Sequence, residues 1–141
     1  MTTIAFRAGV LAADSQLTGR SDVRLRVKKI KRLKDGSLFA GSGTASLVNK
    51  MERWQNGGQA PKIEEGDEAE CIIIRPDGTV FLVDEELELE QLENEYTAIG
   101  NGAGYAIGAM AFGATAEEAI KIAAEHDSNT SLPVHSMRLK E

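Results

Sequence analysis

Two strand–turn–strand units constrain this chain more than any other feature of it. Residues 2–7 and 10–14 are short apolar segments rich in strand formers, joined by Ala8-Gly9, and residues 71–75 and 79–83 flank Pro76-Asp77-Gly78. Connections this short make hairpins, since parallel neighbours need a crossover of a dozen residues or more. Between them, Val23, Leu25 and Val27 alternate with Arg24, Arg26 and Lys28, which predicts a half-buried strand with a basic face. A further strand is expected over 37–40, broken by Gly41-Ser42-Gly43. A helix over 44–55 follows, with Thr44 as N-cap and Leu47, Val48, Met51 and Trp54 on one stripe.

Residues 56–70 contain Gly57-Gly58, Pro61 and several acids without periodicity, and read as a loop. Residues 96–99 form a strand leading into Gly100-Asn101-Gly102. Two consecutive helices follow, over 103–112 and 115–126, the second opened by a Thr115/Glu118 capping box; 134–139 closes the chain as a strand. Strands grouped before and after helices disfavour a doubly wound parallel sheet. They favour an α+β arrangement of antiparallel sheets with helices packed outside.

A chain of 141 residues, 42% hydrophobic and 27% charged, is the size of one domain. At that length roughly 68–70% of the unfolded surface can be buried, so neither disulfide nor structural metal is required. Cys71 has no partner in the chain and precedes Ile72, Ile73 and Ile74, which reads as a core thiol in a reducing compartment. Membrane-span and secretory-signal patterns are missing, so the chain is expected to be cytoplasmic and to make no membrane contact.

The net charge of -6 argues against nucleic-acid binding, although the charge is uneven. Arg20, Arg24, Arg26, Lys28, Lys29, Lys31, Arg32 and Lys34 crowd together without aromatics, the pattern of a solvated strand face. Residues 84–95 are strongly acidic, with Leu87, Leu89 and Leu92 among them, suited to a solvated strand edge or to contact with a basic partner surface. His126-Asp127 lacks a Gly-x-Ser-x-Gly elbow and reads as a helix end; His135 is isolated, so neither metal nor cofactor is expected.

Thr2 follows Met1, and a small second residue is compatible with methionine removal. A freed N-terminal threonine carries hydroxyl and base in one residue, its amine titrating at about 7.7–8.0. Several separated blocks surround it: Thr2-Thr3-Ile4-Ala5-Phe6-Arg7, Gly9-Val10-Leu11-Ala12-Ala13-Asp14-Ser15, Val27-Lys28-Lys29-Ile30, Ala40-Gly41-Ser42-Gly43-Thr44-Ala45 and Ala98-Ile99-Gly100-Asn101-Gly102. In order and spacing these resemble the proteasome β-subunits and the related HslV-type bacterial peptidases, N-terminal-nucleophile hydrolases.

The resemblance implies a four-layer αββα sandwich, two antiparallel sheets between helical layers, as a single proteasome-like domain over residues 1–141. It implies a threonine endopeptidase in which Thr2 attacks, its amine is the base, Lys29 sits beside them, and Asp14 holds Lys29. The Gly43 N–H, or Gly41 if the turn is shifted, would face the oxyanion, while Asp127 and Thr130 would support Thr2. Asn101 stands where the family has a supporting serine, and an amide can still donate and accept hydrogen bonds. Leu17, Val27, Lys31 and Ala45 align with pocket residues. The chain is shorter than family members, and 56–70 replaces their second helix, so one helical layer is reduced. Implied partners are a peptide or unfolded-protein substrate, further copies in a ring or related homo-oligomer, and an ATP-dependent unfoldase. The rival reading is a catalytically inactive structural or assembly subunit, which a retained Met1 would favour.

Overall fold

The computed structural model describes residues 2–18, 21 and 23–140; Met1 and Arg20, which enter the sequence reading, lie outside the described residues. Eleven described strands and three helices follow in the order β1 (Thr3–Arg7), β2 (Val10–Ala13), β3 (Gln16–Thr18), β4 (Arg24–Arg26), β5 (Ile30–Arg32), β6 (Leu38–Gly43), α1 (Ala45–Gln55), β7 (Ala69–Ile74), β8 (Val80–Asp84), β9 (Glu90–Leu92), β10 (Tyr96–Gly100), α2 (Ala103–Ala111), α3 (Ala116–His126) and β11 (His135–Arg138). They make a four-stranded sheet, order β10-β1-β2-β11, a five-stranded sheet, order β5-β6-β7-β8-β9, and a β3-β4 ribbon; every recorded pairing is antiparallel.

Both expected hairpins form. Arg7 pairs with Val10, leaving a two-residue loop in which Ala8 and Gly9 both have positive φ (52° and 76°), as a type I′ loop requires. Ile74 pairs with Val80 across the Pro76-Asp77-Gly78 connection, where Asp77 Oδ1 accepts the Thr79 N–H at 2.9 Å.

Strand β1 is buried on both faces, and its alternation assigns the side chains to two clusters. Ile4 and Phe6, with Leu11, Ala13 and Ile99, meet Ile30, Leu38, Ala40, Ile72, Ile74 and Val80 of the five-stranded sheet. Ala5 turns the other way and lies in register with Ala98 on one side and Ala12 on the other. This row of alanines lets α2 and α3 come close through Ala106, Met110, Ala116, Ala119 and Ile120. A third cluster joins α1, through Leu47 and Met51, to Phe39, Cys71, Ile73 and Val83. Among the described residues, 56–68 contains no helix, so α1 alone packs in that cluster. Among the described residues, no helix is long and apolar enough to cross a membrane.

Two local expectations are corrected. The strand over 23–27 is not half-buried: β4 is exposed along its length, because it pairs only with β3 and joins none of the three clusters. Gly41-Ser42-Gly43 continues β6 instead of breaking it. At Gly41 a Cβ would lie 2.7 Å from both Cys71 Sγ and Val48 Cγ1, so the glycine permits the close approach of α1 to the sheet. Thr44 does stand at the N-cap, but its Oγ1 accepts the Glu68 N–H (3.2 Å) and makes no cap bond within the helix. The Thr115/Glu118 capping box of α3 is complete.

Gly100 ends β10 at φ 95°, where an added Cβ would lie 1.8 Å from the Thr2 carbonyl oxygen. Gly100→Ala should therefore combine left-handed strain with a backbone clash and cost more than about 2 kcal/mol, read as a lowered midpoint in urea unfolding.

Candidate active site

Asp14 follows β2 directly and is completely buried. A lone carboxylate there would carry a large desolvation cost, and four donors offset it. Its Oδ1 accepts the Thr3 N–H (3.0 Å) and the Lys29 ammonium (2.8 Å). Its Oδ2 accepts the Gln16 and Ser131 N–H groups, each at 3.1 Å. One side chain thereby ties the start of β1, the turn into β3, the segment before β11 and the link between β4 and β5.

Lys29 lies in that last link, its side chain only 8% exposed. Its Nζ donates to Thr2 Oγ1 at 3.0 Å as well as to Asp14. Burial pushes the Lys29 pKa below its ordinary 10.5, outweighing the hydrogen bond and the charge of Asp14, which pull it back up. Thr2 is itself buried, and its carbonyl accepts the Asn101 N–H at 2.9 Å. An ammonium aimed at a hydroxyl oxygen favours the oxyanion over the neutral group, so this geometry suits nucleophile activation.

A cleft of about 910 Å³ opens over Thr2 and Lys29, with Gly41, Gly43 and Asn101 on its wall. Gly43 has φ 123°, and a Cβ would lie 2.2 Å from the Glu68 carbonyl oxygen, so only glycine fits the turn that brings this backbone to the cleft. Leu17, Val27, Lys31 and Ala45 also line it.

Asp127 and Thr130 are connected to Thr3. Thr130 Oγ1 donates to Asp127 Oδ2 at 2.6 Å and lies 2.7 Å from Thr3 Oγ1, which accepts the Gly102 N–H at 2.9 Å. Each hydroxyl has one proton, and that of Thr130 goes to Asp127, so Thr3 must be the donor between the two threonines. The relay therefore runs one way, from the Gly102 N–H through Thr3 and Thr130 to the Asp127 carboxylate.

Of the residues singled out in the sequence, Thr2, Asp14 and Lys29 are in direct contact, Gly43 and Asn101 share their cleft, and Asp127 and Thr130 reach the neighbouring residue. Thr3, Gln16 and Ser131 were not singled out. All three donate a backbone N–H to Asp14, which residue identity does not encode; for the Thr3 side chain the signal was a second hydroxyl beside the first. Other candidates are elsewhere. Burial, then Glu70, pushes the Cys71 thiol up to about 12, far from a thiolate. His126 stacks on Tyr105, ring centroids 5.3 Å apart.

No protein-family model and no curated protein matches the chain. Solved structures do. A structure of Thiobacillus denitrificans BPH superposes with a TM-score of 0.71 at 22% identity, covering 99% of this chain and 98% of that one. The same protein in complex with epoxomicin gives 0.71 at 21% identity, covering 99% of each chain. Eukaryotic HslV from Trypanosoma brucei gives 0.65 at 17% identity, covering 97% of this chain and 98% of that one. The resemblance to proteasome β-subunits and HslV-type proteins thus holds at the level of the fold across nearly the whole chain.

Asp14→Ala would leave Lys29 buried without its acid and three N–H groups without their acceptor. We expect a loss of roughly 3–5 kcal/mol in denaturant unfolding, the range for breaking a buried ion pair on one side.

Proposed function

We propose that the chain is a threonine endopeptidase that cleaves peptides or unfolded proteins after Met1 is removed. The observation that supports this most is the 3.0 Å contact from Lys29 Nζ to Thr2 Oγ1, with Asp14 2.8 Å behind it. Thr2 Oγ1 attacks the scissile carbonyl while its proton passes to the Thr2 amine, an α-amine being the base whose unperturbed value of about 7.7–8.0 lies nearest neutrality. The Lys29 ammonium stabilises the developing negative charge on Oγ1 and lowers the proton affinity of the nearby amine. The Gly43 N–H faces the oxyanion of the tetrahedral intermediate, a contribution of roughly 2.7–4 kcal/mol in acyl transfer. The amine then protonates the leaving group, and water attacking the Thr2 ester regenerates the free threonine. The Thr3–Thr130–Asp127 relay, with Asn101 donating to the Thr2 carbonyl, fixes the backbone that carries the nucleophile.

We read the chain as one domain over residues 1–141 built in four layers: α2 and α3, the four-stranded sheet, the five-stranded sheet, and α1 as a reduced outer layer. The same reading makes it a cytoplasmic homo-oligomer, in a ring or related assembly, to which an ATP-dependent unfoldase could deliver substrate. The epoxomicin held by Thiobacillus denitrificans BPH is the natural inhibitor to try.

Intact mass spectrometry should find the purified protein one methionine short, and Thr2→Ala should lower peptide hydrolysis by about three orders of magnitude or more with the unfolding midpoint unchanged. Retained Met1, or cleavage that survives in Thr2→Ala, would overturn the mechanism, the former in favour of an inactive assembly subunit. Because activity needs Lys29 charged, and its pKa is lowered, kcat/KM should fall on the alkaline side as pH rises through a value below 10.5. An alkaline limb at or above that value would remove Lys29 from this role.

A further inference from the structure

The five-stranded sheet ends on β9, and the β3-β4 ribbon ends on β4, so each of these strands has one edge without a partner strand among the described residues. The β4 edge and the segment entering β9 carry the same pattern with opposite charge. Arg24, Leu25 and Arg26 are all exposed, Leu25 at 48%. Glu88, Leu89 and Glu90, leading into β9, are all exposed as well, Leu89 at 36%.

Charged edge strands ordinarily protect a protein from pairing with its own copies, because edges of one sign repel. That protection fails here, since each copy has one edge of each sign. From this we infer that the β4 edge of one copy pairs with residues 88–90 of a second copy of this chain, which lengthen its β9 and form an intermolecular antiparallel ladder. With Leu25 opposite Leu89, Arg24 faces Glu90 and Arg26 faces Glu88, once residues 88 and 89, which precede β9, extend that strand by two positions on pairing. A slip of one residue in either direction sets Leu25 opposite a glutamate and an arginine opposite Leu89, so the alternation selects the register.

The paired patches are unlike, so each copy offers one donor and one acceptor edge and the contact can repeat from copy to copy. The exposure of Leu25 and Leu89, and of β4 as a whole, then has a reason that the single chain does not supply. This rests on the reading of the chain as a homo-oligomer and is independent of any chemistry at Thr2.

Sedimentation velocity on the full chain tests it. Arg24→Glu with Arg26→Glu, and separately Glu88→Lys with Glu90→Lys, should each weaken self-association at least tenfold. An equimolar mixture of the two variants should restore it, because the reversed edges complement each other. The same restoration shows that both variants are folded. Association of the unaltered chain should weaken when salt is raised from 0.1 M to 1 M, as the screening length falls from about 10 to about 3 Å. If the unaltered chain is a monomer at every concentration, the homo-oligomer reading falls and takes this one with it. If it assembles but ignores both charge reversals, or the mixture fails to recover, the β4–β9 interface alone is overturned.

Discussion

The rest of the structure depends on a carboxylate that water cannot reach. Asp14 is completely buried, and its four donors range from Gln16, two residues away, to Ser131, 117 residues away. Three of the donors are backbone N–H groups, so the charge is neutralised largely by the fold itself, and the fold is in turn held by the charge. The fourth is the Lys29 ammonium, which also donates to Thr2 Oγ1. An ion pair of this kind is weak support for stability, because desolvation consumes most of its attraction. Its value lies in position, since neither member can move without stranding the other.

Position also requires that Thr2 arrive at the right depth, and here small residues matter more than charged ones. The Thr2 carbonyl passes Gly100 closely enough that a Cβ would overlap it, and the Gly43 turn passes the Glu68 carbonyl in the same way. Behind the strand, the register-matched row Ala98, Ala5 and Ala12 lets α2 and α3 seat directly on the sheet. Side chains of larger volume at these sites would force the helices outward and shift the start of β1 with them.

Much of this was legible in the sequence for physical reasons. Hairpins are local, so Ala8-Gly9 and Pro76-Asp77-Gly78 announced their pairings, and the Thr115/Glu118 box announced the start of α3. The Lys29 and Asp14 assignment came from resemblance in several short blocks, not from periodicity. What failed to show were features decided by distant neighbours. The three-residue strands β3 and β5 are too short for any period to register. Gly41 reads as a breaker unless one knows that Val48 and Cys71 press against it. The alternation around Leu25 predicts a buried face, yet no layer of the single chain covers that ribbon, so pattern alone overstated its burial.

The Thr3 relay links these points. In the expected arrangement the C-terminal acid and hydroxyl support Thr2, and Asn101 replaces a hydroxyl that would complete the network. Here the Asp127 end of the chain of hydroxyls reaches Thr3, and Asn101 meets Thr2 through its backbone N–H. A backbone donor at that point is indifferent to the side chain, which explains how an asparagine can stand there without disturbing the contact. The relay runs from the Gly102 N–H to the Asp127 carboxylate, while the Lys29 ammonium donates to Thr2 and Asp14. Two consecutive residues at the entrance to β1 are therefore gripped from two directions, Thr2 by Lys29 and Thr3 by Asp14 and by Thr130 with Asp127. The hydroxyl of Thr2 is held in the cleft at the point where those contacts converge.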